Sequence, residues 1–88
     1  MNRVEGMRAL IYAIGGDWKP SASGDHYLGA AHDVTTALSL IDLVESKGGY
    51  AVSIHAIGLG KDWAVSGEFG VDAARKLFRD QWAEIEIV

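Results

Sequence analysis

Two runs of alternating residues, joined by a glycine-bearing link, constrain this chain more than any other feature. The first, Tyr50 to Ile57 (YAVSIHAI), sets Tyr50, Val52, Ile54 and Ala56 against Ser53 and His55. The second, Trp63 to Phe69 (WAVSGEF), sets Trp63, Val65 and Phe69 against Ala64, Ser66 and Glu68. Successive side chains on a strand point to opposite faces, so two such runs around a short link predict a β-hairpin. One face of that hairpin needs an apolar cover, and Ser53, His55, Ser66 and Glu68 mark the other as solvated.

The cover is written at helical spacing on both sides of the hairpin. Asp33 is a suitable N-cap for VTTALSLIDLVESK, in which Val34, Ala37, Leu38, Ile41 and Val44 share a face that Leu40 and Leu43 broaden. Gly48 then supplies the left-handed position that ends the helix. In VDAARKLFRDQW, Val71, Ala74, Leu77, Phe78 and Trp82 form one stripe, with Asp72, Arg75, Lys76 and Arg79 outside it. Before these elements stands RALIYAIGG, a continuous apolar run that predicts a central strand with both faces covered or crowded. The chain closes on AEIEIV, where Ile85 and Ile87 alternate with Glu84 and Glu86 as a half-exposed strand whose glutamates discourage edge-to-edge aggregation.

The order is β-α-β-β-α-β, which predicts a ferredoxin-like α+β sandwich with two helices on one face of an antiparallel sheet. Residues 1–7 form a polar tail and 8–88 a single domain, as 88 residues allow. A long connection over 15–33 holds the only proline, and within it HYLGA, at 26–30, carries an extra strand that pairs back on the first. A chain of this length buries roughly 60–70% of its extended surface, enough for one core but not for a deep, walled active-site cavity.

Composition removes several functions. With no cysteine there is neither a disulfide framework nor a thiolate metal site. A net charge of −4, mixed along the chain, lacks the basic field that phosphate neutralisation requires, so nucleic acid is not the expected partner. The apolar runs are too short for a membrane span, and a cytoplasmic location is expected.

Two motifs invite a nucleotide and neither holds. HAIGLGKDW contains Gly60-Lys61, but a phosphate loop would place its first glycine at 55, which is His, and a hydroxyl at 62, which is Asp. A strand, not a helix, is expected to follow, so the glycines serve a hairpin turn. Tyr12 and Trp63 echo the stacking aromatics of RNA-binding βαββαβ domains. Exposing Trp63 and Val65, however, would drive Ala64, Ser66 and Glu68 into the core, which inverts the alternation.

Chemistry-bearing residues are sparse. His26, His32 and His55 sit near carboxylates, but a spacing of six on an irregular segment fixes no metal geometry, and no nucleophile motif occurs. No cofactor or metal is expected. The connection instead concentrates Trp18, Lys19, His26, Tyr27 and His32, residue types suited to an interface, on the longest loop. Arg75, Lys76 and Arg79 add a small basic face. The expectation is a non-enzymatic module that binds, and inhibits or regulates, a larger protein through these residues, with homodimerisation left open. Small acidic domains of this kind are often carried by phages and other mobile elements, an expectation from size and charge rather than from any residue. The alternative is a small dimeric ligand-binding or enzymatic domain using the histidines.

Overall fold

The computed structural model describes residues 7–18, 25–58 and 64–82. Its elements are β1 (Met7–Gly15), β2 (Asp25–Ala31), α1 (Val34–Ser46), β3 (Gly49–Gly58), β4 (Ala64–Gly70) and α2 (Val71–Lys76), which continues as a π-helical segment over Leu77–Trp82. The predicted hairpin is present as β3 and β4, antiparallel from Ile57 opposite Ala64 to Ala51 opposite Gly70. The strand within the long connection is present as well, with β2 folding back antiparallel on β1. Of the expected tail over 1–7, Met7 is instead the buried first residue of β1, and residues 1–6, like Lys19, Trp63 and the terminal AEIEIV, lie outside the described residues.

The fold is α+β, with a four-stranded antiparallel sheet in the order β2-β1-β3-β4. A ferredoxin-like order is not what these strands form. There, the strand after the first helix takes an edge and its hairpin partner lies beside the first strand. Here β3 itself lies against β1 and runs antiparallel to it. The cause is β2, which reverses the chain before α1 begins. The helix therefore carries the chain from β2 to a strand parallel to it, and β1 sits between the two.

The inward alternation of β1 buries Met7, Ala9, Ile11 and Ala13, and that of β3 buries Val52, Ile54 and Ala56. Ala37, Ile41 and Val44 of α1 and Ala74, Leu77 and Phe78 of the second helical segment complete the core. Each fully buried Ile, Val, Met or Phe contributes about 1.5–3 kcal/mol over its exposed state. Two positions depart from the alternation or the stripe: Tyr50 is 68% exposed and Leu43 is 40% exposed. At Tyr50 the β1–β3 register shifts, with Ile14 opposite Ala51 and Gly15 opposite Gly49, so that Gly49 rather than Tyr50 faces Val44 of α1; Leu43 lies at the edge of the α1 stripe. Among the described residues no helix is long and apolar enough to cross a membrane.

Helix α1 is fixed at both ends as its sequence implies. Asp33 accepts a hydrogen bond from the Thr36 amide at 2.6 Å, and that bond holds its carboxyl below the usual range. Gly48 adopts φ of 83°, which a residue with a Cβ rarely reaches. The two helical segments are tied by Arg75, which reaches Glu45 at 2.6 Å and Asp42 at 2.9 Å on α1 and Asp72 at 3.2 Å on its own helix. Its hydrogen bond depresses the Glu45 carboxyl, so the clamp is intact above the ordinary glutamate pKa and is lost as pH falls through the depressed value. In Arg75→Gln, Tm is expected to fall by a few degrees at neutral pH and to decline less steeply between neutrality and pH ~3 than in the parent. Parallel thermal melts across that range check both effects.

Candidate interaction surface

The alternation that buries one side of β1 turns Arg8, Leu10, Tyr12 and Ile14 to the other. Both helices pack on the first side, and register places the outward residues in rows across all four strands. One row is Tyr27, Tyr12, Ser53 and Glu68; the next is Ala30, Leu10, His55 and Ser66; Arg8, Ile57 and Ala64 follow at the end of the sheet. This face is thus more apolar than the hairpin alone implies, because its central strand contributes large side chains in place of polar ones.

Contacts within the face hold several of its side chains to one another. Tyr12 packs on Tyr27 with ring centroids 5.1 Å apart and meets His55 edge-on at 6.1 Å. The Ser66 hydroxyl and His55 Nδ1 lie 2.8 Å apart, a cross-strand hydrogen bond between directly opposed residues. Beside them Arg8, Leu10, His55, Ile57, Ala64 and Ser66 line an open groove of about 480 Å³. Ile57 remains 49% exposed and Tyr27 50% exposed, so large apolar area stays in water.

Of the described residues expected to bind, Tyr27 alone joins this face. Trp18 packs against the core, stacks on His26 at 4.8 Å and lies under the Lys47 ammonium at 5.5 Å. The Asp17 amide bonds the Lys47 carbonyl at 2.8 Å, so the chain after β1 is tied to the end of α1 and Trp18 closes that end of the core. His26 lies opposite Ala13, on the helix side of the sheet, and His32 is exposed beyond the far end of β2. The basic face dissolves into ion pairs: Arg75 is held by three carboxylates and Lys76 by Asp80 at 2.8 Å, while Arg79 is exposed. Lys19 lies outside the described residues.

The three histidines do not converge. His26 and His55 stand on opposite sides of the sheet, and among the described residues no three His, Asp or Glu side chains are placed to hold a metal ion. Ser66 and His55 are both exposed on the open face, whereas hydroxyl-imidazole chemistry draws its strength from a desolvated site with preorganised oxyanion donors.

The alternation in the sequence puts Ser53, His55, Ala64, Ser66 and Glu68 on this side but gives no such place to Arg8, Leu10 and Ile57. The signal was the unbroken run RALIYAI: a strand that does not alternate between apolar and polar has two apolar faces, and two helices cover only one. Comparison with known proteins returns no matching family model, curated protein or solved structure.

Proposed function

We propose that the protein is a non-enzymatic interaction module whose open sheet face docks a larger protein in the cytoplasm, inhibiting or regulating it. The observation that carries this reading is the aromatic and aliphatic surface spread over β1, β2 and β3 on the side away from the helices. Preorganised Tyr, His and aliphatic groups on a rigid sheet lose little conformational entropy on binding, and aromatic residues are enriched among binding hot spots. The net charge of −4 supports a protein rather than a nucleic acid as partner.

Two exposed residues on opposite sides of the sheet provide the test. Tyr27 is on the open face, whereas Leu43 lies on α1, which packs against the other face. A photoreactive phenylalanine at each position, irradiated in the native cell, is expected to give a heavier adduct from position 27 and none from position 43. An adduct from position 43 alone, or only a crosslink to a second copy of the chain, would overturn the proposal.

A further inference from the structure

We infer that the groove beside Arg8 takes an acidic-aliphatic segment of the partner, with a carboxylate on the Arg8 guanidinium and a large aliphatic side chain between Leu10, Ile57 and Ala64. The inference rests on the open face being the docking surface proposed above. Its first support is charge. Arg75 and Lys76 are neutralised within the chain, and Lys47 lies over Trp18. Arg8 is exposed and pairs with no carboxylate among the described residues. On the same face the acidic Glu68 is in the row of Tyr12, away from the Arg8 row and across the sheet on β4. Among the described residues a guanidinium thus stands without a carboxylate partner at the rim of an apolar groove on an acidic protein, open to a charge-assisted, bidentate bond.

The second support is the groove's chemistry. Leu10, Ile57 and Ala64 offer aliphatic sides, and the His55-Ser66 bond occupies Nδ1 and leaves Nε2 available for a hydrogen bond. Arg8 and Leu10 are alternate residues of one strand, about 7 Å apart along it. An extended segment running along β1 would match that distance with an acid and an aliphatic residue two positions apart. The surface discriminates against basic segments, since a lysine set against Arg8 would meet like charge.

The experiment pans a random-peptide library against the whole chain and against Arg8→Glu, then maps the enriched peptides by amide chemical shifts. The parent is expected to enrich peptides with Asp or Glu within two residues of Leu, Ile, Val or Met. These should shift Leu10, His55, Ile57 and Ser66, and bind Arg8→Glu at least ~10-fold more weakly, as one lost charge-assisted contact implies. Peptides that map to the open face but lack an acid, or bind Arg8→Glu equally well, would overturn the inference and leave open-face docking standing. Peptides that map to the helices, or a library that yields no binder, would overturn both.

Discussion

Phe78→Ala is expected to cost about 3–5 kcal/mol of folding stability. Phe78 is fully buried, among the largest such side chains, and shares one cluster with Ile41, Val44, Val52 and Ile54. It stands where the second helical segment passes from α-helical to π-helical winding, next to Leu77, which is also buried. The surrounding groups belong to paired strands and to a helix fixed at both ends, so they have little freedom to close the cavity. A domain of this kind has roughly 5–15 kcal/mol in all. The loss therefore lowers Tm by on the order of 12–40 °C and leaves the variant partly unfolded if the parent lies at the low end. Urea unfolding followed by circular dichroism measures it. A cost below about 1 kcal/mol would show that the second helical segment contributes little to the core.

Those core positions were legible before the structure. The period of two in YAVSIHAI and the period of 3.6 in the two helices placed Val52, Ile54, Ala37, Ile41, Val44, Ala74, Leu77 and Phe78 inside, and all are buried. Strand order was not legible, although the extra strand was. A period-two pattern says which side of a strand faces inward but not which neighbour it pairs with. The consequence of β2 reversing the chain before α1 depends on topology and leaves no local mark.

The open face was only partly legible, for a related reason. Aromatic and charged residues crowd the connection, yet Trp18 and His26 stack on each other and Arg75 ties two helices together. Residue type alone cannot separate a side chain that waits for a partner from one that already has a partner within the chain. Conversely, Leu10 belongs to a run that reads as covered on both faces, because apolar residues along a strand carry no sign of which side the helices take.

Ile57→Asp carries the largest expected effect on binding. Ile57 is half-exposed and lines the Arg8 groove, so its loss removes little buried area from the core. Folding should change by at most about 1 kcal/mol, the span of strand propensities in a host protein. In the complex the same substitution removes an aliphatic side of the groove and sets a carboxylate directly opposite Arg8, where it competes for the guanidinium; such a loss costs at least ~2 kcal/mol at a hot spot and weakens affinity at least ~30-fold. Leu43→Asp is the matched control. Leu43 is also an exposed aliphatic residue, but it lies on α1, on the far side of the sheet.

The most direct measurement is the equilibrium affinity of the partner captured through position 27 for the parent, Ile57→Asp and Leu43→Asp, each first shown to be folded. Docking through the open sheet face predicts a loss confined to Ile57→Asp, with Leu43→Asp binding like the parent. Unchanged affinity in Ile57→Asp together with a loss in Leu43→Asp would place the interface on the helices and contradict the central claim.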